Sequence, residues 1–174
     1  MIVLVGASAS GKTEAAKIII NKYGFKKMIT TTTRAMRVGE TQDVDYHFIS
    51  KNEFLKRKDN NEFLETTEYN NNYYGTNRKD VSDDKVLIVE PEGANNIYKQ
   101  VGSIIKIFYL EASEAERIRH MRERGDKEED IKKRIASDRE RFGTDKLDHI
   151  DHIVLSDGKT VSELAEAIYE LYKR

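Results

Sequence analysis

The apolar tetrad Ile2-Val3-Leu4-Val5 runs directly into Gly6-Ala7-Ser8-Ala9-Ser10-Gly11-Lys12-Thr13, and a helical apolar pattern with Ala15, Ala16, Ile18, Ile19 and Ile20 follows at once. This is the G-x-x-x-x-G-K-[ST] pattern in its required setting, with a buried strand before it and a helix after it. No other stretch constrains the fold as much, because a buried strand that leaves through such a loop into a helix starts a parallel α/β sheet. The residue types follow from the chemistry of an anion. Glycines let the backbone curl until successive N–H groups converge at the positive end of the helix. Lys12 would then reach the outer phosphates of a nucleotide, and the Thr13 hydroxyl would take one position on a magnesium ion. The rival reading, a glycine-rich turn that merely spells the pattern, leaves the flanking strand and helix unexplained.

Further along, strands and helices alternate. The first helix is expected to end near Tyr23, with Gly24 as its stop, and a second strand to begin over 25–29. From 30 to about 80 the composition turns polar and rich in Thr and Asn, with short half-buried strands at 46–49 and 62–65, a short helix over 51–58 and a turn at Asn70-Asn71-Asn72. This segment reads as an insertion into the α/β core. The apolar run 85–89 predicts a central parallel strand. A helix over 92–101, a strand over 104–110 and an Arg-rich helix over 111–124 follow, then a break at Gly125-Asp126 and a charged helix over 128–142. A last strand over 150–155 leads to a closing amphipathic helix over 161–172, with Leu164, Ala165, Ile168 and Leu171 on one stripe. The fold class is therefore α/β, a parallel sheet flanked by helices, with no internal repeat.

At 174 residues the chain can bury one ordinary core. Thirty Lys and Arg against 31 Asp and Glu leave a formal charge of −1, so nothing points to nucleic acid, and any phosphate affinity must come from locally placed basic groups. The absence of cysteine excludes disulfides, thiolate metal sites and cysteine nucleophiles. The opening Met-Ile-Val-Leu-Val is too short for a signal peptide and no apolar run approaches a membrane span, so a soluble, cytoplasmic protein is expected, monomeric or homodimeric.

Two further motifs lie in the polar insertion. Thr30-Thr31-Thr32-Thr33-Arg34-Ala35-Met36-Arg37-Val38-Gly39-Glu40, followed by Asp45-Tyr46-His47-Phe48, sets two arginines three apart beside hydroxyls, a carboxylate and a tyrosine. Guanidinium forks suit bidentate contact with phosphate oxygens. Alone, such a pair would read as a solvated surface feature; beside a nucleotide loop it reads as a second phosphate site. Phe63-Leu64-Glu65 and Tyr73-Tyr74-Gly75-Thr76 supply a carboxylate and a hydroxyl. Guanine offers donors at N1 and N2 and an acceptor at O6, which one carboxylate and one hydroxyl can satisfy, whereas adenine would leave the carboxylate unpaired. On its own, Glu65 is equally well a half-buried strand residue.

Taken together, the three motifs resemble guanylate kinase, the nucleoside monophosphate kinase family that moves a phosphoryl group from ATP to GMP. The likeness to T-T-R-x-x-R-x-G-E…D-Y-x-F and F-x-E…Y-Y-G-[ST], with the loop, extends from residue 1 to about 140. It implies a P-loop kinase core over 1–29, 81–121 and 139–174, a GMP-binding subdomain over 30–80 and a mobile helical lid over 122–138. It also implies that Gly6 to Thr13 bind ATP, with Mg²⁺ at Thr13. Arg34, Arg37 and Tyr74 would hold the GMP phosphate, with Tyr46 and Thr30 close by and Glu40 in support, and Glu65, Gly75 and Thr76 would form the guanine site. The lid arginines are Arg122, Arg124 and Arg134, with Arg124 on ATP. Lys12, Arg34, Arg37, Arg122 and Arg134 would carry the charge of the transferring group.

The chain departs from the family in four places. Ala7 and Ala9 stand where Pro and Gly are usual; Ile88-Val89-Glu90-Pro91-Glu92-Gly93 replaces Asp-x-Asp-x-Gln-Gly; the lid is about one residue shorter; and Ser156-Asp157 replaces an Asn-Asp pair. Glu90 would serve the GMP site from one methylene further away, and Pro91 would start a helix. His149 and His152 read as structural, and Arg117 and Arg119 as solvated helix positions. The implied activity is ATP-dependent phosphorylation of GMP, and of dGMP, to the diphosphate. The competing readings are a non-catalytic guanylate-kinase-like module that binds phosphopeptides and a P-loop kinase with an altered acceptor.

Overall fold

Four consecutive buried residues make β1 (Ile2–Val5) a strand that must be covered on both faces, and the rest of the core is arranged around it. The computed structural model describes residues 1–69 and 71–174; Asn70, where the expected 70–72 turn begins, lies outside the described residues. After β1 come α1 (Lys12–Tyr23), β2 (Lys26–Lys27), β3 (Thr31–Thr32), β4 (His47–Phe48), α2 (Lys51–Asp59), β5 (Phe63–Tyr69) and β6 (Asn72–Asn77). Then follow β7 (Lys85–Ile88), α3 (Pro91–Val101), β8 (Lys106–Glu111), α4 (Glu114–Glu123), α5 (Glu128–Arg141), β9 (His152–Leu155) and α6 (Val161–Tyr172). The core sheet has the order β2-β7-β1-β8-β9 with every pairing parallel. A second sheet, β4-β3-β6-β5, is built by the inserted segment, with β5 and β6 as an antiparallel pair.

Strand alternation divides β1 between two cores. Ile2 and Leu4 pack with Ala15 and Ile19 of α1 and Leu164, Ala165 and Ile168 of α6. Met1, Val3 and Val5 face the other side, with Leu87, Ile107, and Ala94 and Ile97 of α3. A third cluster joins Met121 of α4 to Ile131 and Ile135 of α5, with Ala9 of the phosphate loop packed against it. The helix ends follow their sequence signals. Gly24 takes a left-handed φ of 75° at the end of α1, and Pro91 opens α3. Thr160 and Glu163 form a reciprocal capping box on α6.

Several boundaries differ from the sequence expectation. The strand expected over 25–29 is reduced to Lys26–Lys27, an exposed edge strand with β7 as its one neighbour. Residues 102–104 form a short 3₁₀ turn, so the strand expected from 104 begins at Lys106. Glu111 completes β8, and the helix starts only at Glu114 because Ser113 caps it, its side chain accepting from Glu116 N. The strand expected at 62–65 runs on to Tyr69, because pairing with β6 supplies hydrogen bonds that a local pattern does not reveal.

The second sheet has its own small aromatic core. Phe54 of α2 is fully buried and stacks on Phe63 at 4.5 Å between centroids and on Tyr73 at 5.4 Å. Phe54→Ala is expected to cost about 3–5 kcal/mol. Amide exchange should show the loss concentrated in β5 and β6 rather than in β1.

Candidate active site

The phosphate loop is shaped by two close approaches. A Cβ at Gly6 would lie 2.5 Å from the Leu110 carbonyl oxygen of β8, so no side chain is possible there. Gly11, at φ 92°, caps α1 with its backbone pressed toward Leu164. Ala9 sits at φ 62°, so the loop accepts alanine in a left-handed position at a cost of roughly 1 kcal/mol. Ser10 N donates to Ala7 O at 3.3 Å and closes the first turn.

Lys12 folds back into this ring, its Nζ donating to Gly6 O and Ala7 O, both at 2.6 Å, and to Ser10 Oγ at 3.2 Å. Burial lowers its pKa to about 8, with Asp138 acting in the opposite direction. Thr13, at the exposed start of α1, and Arg124 line a cavity beside the loop together with His120, whose Nδ1 lies 3.1 Å from Ala9 O. Arg124 is forked onto Asp126 at 3.0 and 2.6 Å. Arg134 lies 3.6 Å from the same carboxylate, and Arg122 is forked onto Glu128 at 2.6 and 3.0 Å. Of these three arginines, Arg124 alone lines the loop-side cavity.

The second pocket, about 290 Å³, opens between the inserted sheet and the start of α3. Thr30, Tyr46, Glu65, Tyr74, Gly75 and Glu90 line it. Glu65 and Thr76 face each other across β5 and β6, and Thr76 Oγ1 donates to Glu65 Oε1 at 2.7 Å. Burial raises the Glu65 pKa, against the effect of the Thr76 hydroxyl. Thr76 itself is fully buried.

On the outer side, Arg34 is forked onto Glu40 at 2.9 and 2.7 Å and lies over the rings of Tyr46 and Phe48. Glu40 also accepts from Arg37 N at 2.7 Å. The Arg34 hydrogen bonds, followed by the Arg37 amide, hold the Glu40 pKa at about 2. The ring of Tyr46 meets that of Tyr74 edge-on at 6.2 Å, and burial raises the pKa of its phenol. The Arg37 side chain is exposed. Glu90 of the pocket is paired with Arg141 of α5. A groove carrying Thr13, Thr30, Tyr46 and the partly exposed Ile88 joins the loop to this second pocket.

One sequence reading is overturned. Arg117 is not solvated: it is 6% exposed, and its Nη1 donates to Asp138 Oδ2 at 2.7 Å. Asp138, equally buried, also accepts from Ser8 N at 2.9 Å and from Ser8 Oγ at 3.1 Å. Sequence reasoning missed Asp138, although a signal existed. It follows Ile131 and Ile135 on the buried stripe of α5, where a carboxylate requires partners. Arg119 is exposed and paired with Glu116 and Glu123, in keeping with a solvated position. His149 stacks on Tyr98 and His152 packs on Phe108, so each histidine serves a separate ring contact.

A parallel sheet whose first strand feeds a G-x-x-x-x-G-K-[ST] loop, with a second pocket lined by Glu65 and Tyr74 beside it, has the organisation of a P-loop nucleotide kinase. The guanylate kinase family model matches residues 1–171. The guanylate kinase of Syntrophus aciditrophicus is 33% identical over 99% of this chain and 86% of its own length. That of the Onion yellows phytoplasma is 34% identical over 90% of this chain and 78% of its own. The crystal structure of guanylate kinase from Anaplasma phagocytophilum shares the fold with a TM-score of 0.70 at 21% identity, over 99% of this chain and 84% of that one. The chain belongs to the guanylate kinase family. Among the described residues no helix is long and apolar enough to cross a membrane.

The lowered Lys12 pKa makes the charge of the loop depend on pH in the range just above neutrality. As pH rises through about 8, Lys12 loses the proton that lets it attract phosphate. The Kd of ATP should therefore increase above pH 8, by at most tenfold per unit. Titration calorimetry between pH 7 and 9.5 should show this rise, and Lys12→Met should abolish it.

Proposed function

We propose that the loop-side cavity takes ATP, that the pocket around Glu65 takes GMP or dGMP, and that the γ-phosphoryl group crosses the groove between them. The observation that carries this reading is the Glu65–Thr76 pair, a half-buried carboxylate on a fully buried hydroxyl. A carboxylate whose hydroxyl partner is already fixed can accept from guanine N1 and N2, while that hydroxyl can turn to O6. Arg34, Arg37 and Tyr74 would hold the GMP phosphate, with Tyr46 as the wall behind Arg34, Glu40 fixing that guanidinium and Thr30 beside them. Glu90 lines the same pocket, where it is paired with Arg141, and would serve the GMP site from there.

A GMP phosphate oxygen attacks the γ-phosphorus of ATP, the bond to the β,γ-bridging oxygen breaks, and ADP leaves. Nothing in this step needs a strong base; alignment and neutralisation of charge supply the rate. Lys12 leaves its carbonyl partners for the outer phosphates. Residues 122–138 act as the lid, where Arg122, Arg124 and Arg134 exchange Glu128 and Asp126 for phosphate oxygens. Thr13 suits magnesium, which takes few protein oxygens beside phosphate and water; bound there, it would neutralise charge on the transferring group.

The test is turnover with ATP against a panel of nucleoside monophosphates. GMP should be preferred, Lys12→Ala should lower kcat at least 100-fold, and ordinary turnover in that variant would refute the assignment. Glu65→Gln should raise the KM for GMP roughly 10- to 100-fold while sparing the KM for ATP, since an amide cannot accept from both guanine donors. Because burial raises the Glu65 pKa, the KM for GMP should also climb on the acid side at a higher pH than an ordinary carboxylate would give, and Glu65→Gln should flatten that limb.

A further inference from the structure

We propose that Asp138, held by Arg117, is a positioning residue for the phosphate loop: it clamps Ser8 and so fixes both the curl of the loop and the place of α5 above it. The proposal rests on the ATP-binding role given above to the loop. One carboxylate accepts from the hydroxyl of Ser8 at Oδ1 and from its backbone N–H at Oδ2, and a buried guanidinium donates to that same Oδ2. All three groups come from different parts of the chain: Ser8 from the loop, Arg117 from α4 and Asp138 from α5.

The placement matters for two reasons. Ser8 stands between Gly6, wedged against the Leu110 carbonyl, and Ala9 in its left-handed turn. Fixing the peptide of Ser8 therefore fixes where the chain turns before the N–H groups of 9 to 13 can converge. Asp138 also lies one helical turn beyond Arg134, so the residue that grips the loop and a lid arginine share one face of α5. The clamp thus makes the loop and the base of the lid a single unit, and the lid can swing only N-terminal to it. Lys12 is tied to the successive carbonyls of Gly6 and Ala7, just before the same turn, which it can leave only if something else keeps that turn closed.

Mere packing is the alternative, and the two differ in what they predict. Asp138→Asn keeps shape but has one acceptor oxygen in place of two, so it cannot accept from Ser8 N, Ser8 Oγ and Arg117 together, and the clamp is weakened. It should raise the KM for ATP about tenfold and lower kcat, with the KM for GMP changed less than twofold. The double variant Arg117→Met/Asp138→Leu replaces a buried ion pair by apolar groups of similar size, which is often neutral for stability. It should melt close to the wild type and yet show the same ATP defect. A double variant with wild-type KM for ATP and wild-type kcat would overturn the proposal, as would an unchanged KM for ATP in Asp138→Asn, which decides the matter if the double variant fails to fold. Absence of ATP:GMP transfer in the wild-type protein would instead sink the functional reading.

Discussion

Everything in the structure depends on a backbone curling where no side chain can stand. Gly6 turns against the carbonyl of Leu110, Ala9 accepts a left-handed conformation, and Gly11 hands the chain to α1. That turn can exist only because β1 is locked between β7 and β8 and buried on both faces, so the strand that enters it cannot shift. The loop proposed to present its N–H groups to a charged ligand is thus built on a strand paired on both edges and buried on both faces.

The facing pocket is built on opposite terms. It is carried by short strands, a hairpin and a single buried aromatic stack around Phe54. What gives it precision is polar pairing rather than depth. Arg34 is held by Glu40 and by two rings, and Glu65 by Thr76 directly across the strand pair. Arg34 and Glu65 therefore each have an internal counterpart, so on the proposed reading a ligand would replace existing bonds rather than desolvate bare charges.

Much of this was legible in the residues. The loop motif, the Gly24 stop, the Pro91 start and the Leu164–Ile168 stripe each correspond to one local physical signal, and each found its place. What escaped depended on distance along the chain. The length of β5 is set by its partner β6, and the late start of α4 by a serine cap read as helix interior. Arg117 looked solvated because its partner lies 21 residues away on another helix. The two functional clusters were recognisable as motifs, but that a groove with Thr13 at one end and Tyr46 at the other joins them is a matter of topology alone.

The lysine of the phosphate loop has a consequence of its own. With its ammonium held by two successive carbonyls and the Ser10 hydroxyl, the loop carries an internal cation that ties its first residues to the start of α1. On the proposed reading an incoming polyphosphate would compete with the loop's own oxygens for one proton-rich tip. On that reading, the preference for strongly charged tails over weakly charged ones would be set by how hard those oxygens hold on.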